Sequence, residues 1–121
     1  RREFTALHIA LGRGNHDRWA ARFPGSWEIE DLGATLHEAP FIWAHEPDPM
    51  QGGYVIGGHL HPTVDLRAQS DALRLPCFHF GPEAGILPAF TTFSNGLRVA
   101  RSKRSRTFAI AEDLVIDVSP V

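Results

Sequence analysis

The sequence predicts an α/β domain, and three observations lead there. Short β-prone runs recur along the 121 residues, separated by glycine and proline turns. One helical turn is expected at Arg18 to Phe23, stopped by Pro24-Gly25. Polar residues, several of them His or Asn, follow directly on strand after strand.

Thr5 to Leu11 is an apolar segment that stops at Gly12-Arg-Gly14, the pattern of a buried strand running into a tight turn. Beyond the helical turn, Ala34 to Leu36 and Phe41 to Ala44 read as short strands around Glu38-Ala-Pro40, and His45 follows the second directly. Pro47-Asp-Pro49 and Gly52-Gly53 mark a loop, and Tyr54-Val-Ile56 leads as a strand into Gly57-Gly-His-Leu-His-Pro62. Further strands are expected at Leu75 to Phe80, Ile86 to Phe93, Phe108 to Ala111 and Leu114 to Val118. Ser94-Asn-Gly96 and Glu112-Asp113 supply turns between them.

With 43% hydrophobic residues and a formal charge of -2, the chain groups with ordinary soluble domains, one domain with a modest core. No apolar run approaches the roughly 20 residues that span a bilayer, and the N-terminus has no apolar signal segment. The single cysteine, Cys77, cannot form an internal disulfide, which fits a reducing compartment, so a cytoplasmic location is expected. Within Leu75-Pro-Cys-Phe-His-Phe80 it reads as a small buried hydrophobe, not a nucleophile.

The chemistry lies at the strand ends, where ligand sites gather in open sheets. Gly14-Asn-His-Asp17 sets an amide oxygen, an imidazole and a carboxylate on consecutive residues of a turn. His59-Leu-His61 adds two imidazoles at i and i+2, which on an extended strand share a face roughly 6.5 to 7 Å apart and suit two adjacent metals. His45 contributes a further imidazole. Each alone is a common residue in a common place; their order, each beside a strand end, reads as a metal site. His8, His37 and His79 lack that context and read as structural. Arg98, Arg101, Lys103, Arg104 and Arg106 form a basic run that either tracks a phosphate backbone or is a solvated loop, with no aromatic residue interleaved.

Gly14-Asn15-His16-Asp17, His45 within Trp43-Ala-His-Glu-Pro47, and Gly58-His59-Leu60-His61 resemble, in order, the last three motifs of the calcineurin-like metallophosphoesterase superfamily. Arg13-Gly-Asn-His-Asp-Arg18, Gly57-Gly-His-Leu-His-Pro62, Leu75-Pro-Cys-Phe-His-Phe-Gly-Pro82 and Leu87-Pro-Ala-Phe90 are more narrowly similar to the ligase-associated DNA damage response endonucleases. The earlier Asp-x-His and Gly-Asp motifs of that superfamily have no counterpart, so residues 1–121 are expected to form the C-terminal part of such a domain. The resemblance implies a four-layer αββα sandwich of two mixed sheets between helices.

It also implies roles. Asn15, His45 and His59 would hold one divalent metal, and His61 a second, bridged by an aspartate that these residues do not supply. His16 would contact the phosphate or assist the leaving oxygen, with Asp17 orienting its ring, while Arg13 and Arg18 are candidate phosphate contacts. Two such ions, about 3.5 to 4 Å apart, neutralise phosphate charge and activate a water for in-line attack. Mn²⁺ is the expected ion, with Fe²⁺, Zn²⁺ or Mg²⁺ as alternatives. The implied function is hydrolysis of DNA phosphodiester bonds in repair, alongside a DNA ligase and a helicase. The alternatives are a phosphomonoesterase, a small-nucleotide phosphodiesterase, or a non-catalytic partner-binding module.

Overall fold

The computed structural model describes residues 6–19, 24–68, 71–91 and 96–121. Among the described residues ten strands carry the fold: β1 Ile9–Leu11, β2 Ile29–Asp31, β3 Thr35–Glu38, β4 Phe41–Ala44, β5 Tyr54–Gly57, β6 Thr63–Ala68, β7 Asp71–Phe80, β8 Ala84–Ile86, β9 Arg106–Ala111 and β10 Leu114–Asp117. Helix among the described residues is confined to two 3-10 segments, Asn15–Trp19 and Gly25–Trp27. The described residues thus form a sheet-rich domain. The residues between strands are too rich in Gly, Pro and Asp to sustain an α-helix. Residues 20–23 of the helical turn expected at Arg18 to Phe23 lie outside the described residues.

β1 and β2 form a small parallel pair. The remaining strands build one mixed sheet in the order β10-β9-β7-β8-β5-β4-β3, with β6 paired to the first half of β7. β4, β5 and β8 run parallel to one another, so their C-terminal ends open on the same sheet edge. Antiparallel pairs flank them on both sides.

Alternation decides which side chains are covered. In β4, Ile42 is buried at 1% exposure while Phe41 and Trp43 stay about 40% exposed on the other face. Val55, the parallel partner of Ile42, is wholly buried. A second cluster of Val64, Cys77 and Ala109 is joined by Leu66, Leu75, Val99 and Val118. Cys77 and Ala109 are register partners across β7 and β9, which explains why only small side chains stand there. Burial pushes the Cys77 thiol up to about 11, so it carries no thiolate at neutral pH. On the opposite face Phe41 and Trp43 touch at 6.2 Å between ring centres, and Phe80 meets Phe108 edge-on at 6.2 Å.

The strands expected at Phe41 to Ala44, Tyr54 to Ile56, Phe108 to Ala111 and Leu114 to Val118 are all present within a residue or two. The strand expected over Ile86 to Phe93 instead ends at Ile86, where Leu87 turns its N–H to the Gly57 carbonyl at 2.7 Å and Pro88 can donate nothing to a ladder. Residues 92 and 93 of that span, and 94 and 95 of the expected Ser94-Asn-Gly96 turn, lie outside the described residues. β2 and β6 were not anticipated. No helix among the described residues is long and apolar enough to cross a membrane.

Candidate metal centre

Three of the four expected ligands converge. His45 Nε2 lies 2.7 Å from Asn15 Oδ1 and 2.9 Å from His59 Nδ1, and the two rings meet edge-on with centres 4.7 Å apart. Each arrives from a different part of the fold. Asn15 opens the 3-10 turn after β1, His45 is the residue after β4, and His59 follows β5 by two positions. The parallel register of β4 and β5 brings the last two together, and Gly58 N–H fixes that edge by donating to the His45 carbonyl at 3.0 Å.

Close approach explains two glycines. A Cβ on Gly14 would stand 2.9 Å from the His45 ring, so only glycine lets the turn after β1 lie flat against that imidazole. A Cβ on Gly57 would stand 2.9 to 3.0 Å from the backbone of Ala44 to Pro47, the segment that carries His45 out of β4. Burial, then the neighbouring His59, holds His45 below the ordinary imidazole range. The ring is therefore neutral at pH 7, the form that ligates metals.

The histidine pair departs from the expected geometry. His59 and His61 do not lie on an extended strand; β5 ends at Gly57, and Leu60 N–H closes a tight turn onto the Gly58 carbonyl at 2.6 Å. Both residues take left-handed backbone, with φ of 55° and 48°. Non-glycine residues adopt that region uncommonly, at a cost of about 1–3 kcal/mol each, and such residues gather at functional sites. The separation expected from an extended strand therefore does not apply to the two imidazoles, and the hydrogen bonds of the His45 ring reach Asn15 and His59.

His16 is exposed at the start of the 3-10 turn. Asp17 was expected to orient its ring, yet Asp17 Oδ2 accepts from Gly14 N–H at 2.8 Å, and Asp17 N–H donates back to the Gly14 carbonyl at 3.1 Å. The carboxylate thereby holds the turn that presents Asn15. Arg13 Nε and Nη2 both reach Asp31 Oδ2, at 2.7 and 2.5 Å, while Asp31 Oδ1 accepts from Gly33 N–H at 3.0 Å. These bonds, Arg13 first, hold Asp31 below the usual carboxylate range. Arg13 thus reaches the site already paired, and Asp31 is a site-organising residue that the sequence did not reveal. Its strand, Ile29–Asp31, is too short and acidic to show a pattern. The side chain of Arg18 lies outside the described residues.

A cavity of about 420 Å³ opens beside the cluster, walled by Arg13, Asn15, Thr35, His45, Asp48 and Met50 among others. An amide oxygen and two imidazole nitrogens suit a borderline divalent ion, and their convergence fits one such ion. Among the described residues no three His, Cys, Asp or Glu side chains form a group able to hold a metal.

The basic run is mostly committed elsewhere. Arg98 pairs with Asp65 at 3.0 Å, Arg101 donates to the Val118 carbonyl at 3.0 Å, and Arg106 binds Asp117 at 2.5 Å while lying over the Phe108 ring. Lys103 and Arg104 sit in an exposed turn closed by Ser102 and Ser105. These partners favour the loop reading over a phosphate track.

Comparison with protein-family models finds no match, and comparison with the curated proteins finds none. Among solved structures, a nuclease called MPE from Pseudomonas putida is similar, at 35% sequence identity and a TM-score of 0.85 over 98% of this chain. The matched region is 57% of the nuclease's own chain. Over almost its whole length, then, the chain has a nuclease-like fold, of which it spans a little more than half.

Proposed function

We propose that the chain takes part in metal-assisted hydrolysis of phosphodiester bonds in nucleic acid, as part of a metallophosphoesterase-type αββα sandwich. One observation carries the reading: Asn15, His45 and His59 come from three separate strand ends and bring their donor atoms within 2.7 to 2.9 Å of His45 Nε2. The likeness to a nuclease at 35% identity supports it. The neutral His45 ring and the Asn15 oxygen would hold a divalent ion, with Mn²⁺ preferred over Fe²⁺, Zn²⁺ and Mg²⁺. Such an ion supplies Lewis acidity toward a phosphoryl oxygen.

The chain's own residues do the rest. Asp17 and Gly14 lock the turn that aims Asn15 at the site. The exposed His16 is free of that lock and is the candidate to meet a phosphate or return a proton to the leaving oxygen. Arg13, held by Asp31 and donating from Nη1 to the Asp17 carbonyl at 3.3 Å, lines the cavity and keeps a positive charge beside the site. DNA in a repair setting, with a ligase and a helicase as neighbours, is the proposed context.

Among the described residues the two imidazoles and one amide bring no carboxylate to balance the ion's charge, so weak metal binding and negligible turnover by these 121 residues alone are expected. The test is Mn²⁺-dependent binding and cleavage of plasmid DNA, a cyclic nucleotide and a phosphomonoester. Mn²⁺-dependent DNA binding with negligible cleavage is expected, and robust metal-dependent cleavage of DNA by these residues alone would contradict it. Preferential turnover of the phosphomonoester or the cyclic nucleotide would transfer the proposal to that substrate class.

A further inference from the structure

Asp65 stands on the outer face of the β6–β7 hairpin with arginines around it. In β6, Thr63, Asp65 and Arg67 alternate with the inward Val64 and Leu66, and their partners across the ladder are Pro76, Arg74 and Ala72. Arg74 Nε donates to Asp65 Oδ1 at 2.9 Å. Arg98 comes from a separate segment that bridges to Thr63 in parallel register, where Val99 N–H donates to the Thr63 carbonyl at 2.9 Å. Its Nε reaches Asp65 Oδ2 at 3.0 Å. Each oxygen of one carboxylate thus holds one guanidinium. The Arg74 hydrogen bond first, and then the charges of Arg74, Arg98 and Arg67, hold Asp65 below the usual carboxylate range.

Three cations share this carboxylate, and among the described residues of the hairpin's outer face Asp65 is the only acid. A structural ion pair needs one cation for each carboxylate, and exposed pairs add little to stability, so pairing alone does not account for the surplus of positive charge. The Asp65 side chain is 20% exposed, whereas Arg74 and Arg98 are 53% and 59% exposed. The covered carboxylate therefore fixes both arginines through Nε and leaves their Nη donors unpartnered among the described residues. Guanidinium donors held in place match the oxygens of a phosphate, and holding them in advance lowers the cost of ordering two long side chains on binding. The group also has a bounded distance from the candidate metal centre. β6 begins two residues after His61, and six residue steps separate His59 from Asp65, so those two Cα atoms lie at most about 22 Å apart. One strand of a duplex rises about 3.4 Å per nucleotide, so about six nucleotides cover that span.

We propose that Arg67, Arg74 and Arg98, gathered on Asp65, form a second phosphate site, separate from the Asn15, His45 and His59 cluster, which holds a nucleic-acid backbone phosphate within about six nucleotides of the one at that cluster. The identity of the polymer rests on the proposed function; the site itself does not need the metal. Asp65 is a positioning residue here, and the arginines make the contacts. Of the basic run in the sequence only Arg98 takes part, because the ladder and the Thr63 bridge bring it to Arg67 and Arg74.

The experiment is fluorescence anisotropy with a labelled DNA duplex of about 20 base pairs, titrated between about 50 and 200 mM salt in EDTA, which leaves only the part of binding that needs no metal. Arg74→Gln and Arg98→Gln should each weaken binding about three- to tenfold and lower the salt slope by about 1, while Arg104→Gln, which removes the same charge from the exposed turn, stays within about twofold. Asp65→Asn separates a built site from bulk charge. It makes the chain more positive, so charge alone predicts tighter binding, whereas loss of the positioning carboxylate predicts weaker binding with the salt slope reduced. Tighter binding by Asp65→Asn would overturn the proposal, as would losses in the two arginine variants no larger than in Arg104→Gln. Should Asp65→Asn lose the wild-type circular dichroism spectrum, the two arginine variants decide. Equally tight binding of polyglutamate of the same charge would make the ligand an acidic protein and overturn the nucleic-acid assignment. No binding in EDTA, with Mn²⁺-dependent binding retained, would overturn this site and leave the proposed function standing; no binding under either condition would remove both.

Discussion

At the scale of single residues, the candidate site depends on atoms that leave no room for change. Gly14→Ala puts a methyl 2.9 Å from the His45 ring. Overpacking of this kind costs about 1–3 kcal/mol, and here it also turns the ring away from Asn15 and His59. Thermal melting should fall and Mn²⁺ affinity should fall with it; a variant that loses stability but keeps affinity would show that His45 is not oriented by this contact. Asp117 lies at the far end of the sheet and answers to pH instead. Hydrogen bonds from Ser119, then the Arg106 guanidinium, lower its carboxyl from the ordinary 3.8 to about 2. Since the folded value lies below the unfolded one, its contribution is complete above the ordinary value and disappears as pH falls from there to about 2. Asp117→Asn should therefore melt below the wild type at about pH 6, with the gap closing near pH 2. A gap that persists at low pH would contradict the pairing.

At the scale of elements, the parallel trio of β4, β5 and β8 does the positioning, and its stability rests on few side chains. Ile42→Ala, at a position 1% exposed and facing Val55, should cost about 2–5 kcal/mol in denaturant unfolding, whereas Leu114→Ala, at 60% exposure on β10, should stay within about 0.5 kcal/mol. Similar costs at both positions would mean that the sheet's two faces are misassigned. β4 and β5 were readable from the sequence because their β-branched and aromatic runs are bounded by Gly and Pro, so pattern and punctuation agree there. β2 and β6 escaped for the opposite reason. Ile29-Glu-Asp31 is short and acidic, and Thr63 to Ala68 carries Asp65 and Arg67 in a strand whose pairing comes from the far end of β7. The site was readable as a set of residues but not as a shape. Asn15, His45 and His59 met as expected, while the left-handed turns at His59 and His61 could not be read from a spacing that assumed extended backbone. Asp31 had no motif to mark it, because its role comes from pairing between two short strands.

At the scale of the whole molecule, the chain spans 57% of the nuclease it is similar to, and one face of its sheet leaves Phe41 and Trp43 about 40% exposed. Its stability is accordingly open to adjustment by whatever binds the folded form. A ligand that binds only the folded chain stabilises it in proportion to the logarithm of its concentration above the dissociation constant. Mn²⁺ should therefore raise the melting temperature of the wild type progressively and leave His59→Ala unmoved. An equal rise in both would place the ion elsewhere. The most direct measurement is isothermal titration calorimetry of Mn²⁺ into the wild type, His59→Ala and Asn15→Ala. The wild type should bind about one ion per chain, weakly, with each substitution lowering affinity about tenfold or more. No binding by the wild type, or the same affinity in all three, would mean that the convergence of Asn15, His45 and His59 is a hydrogen-bonded cluster and not a metal centre.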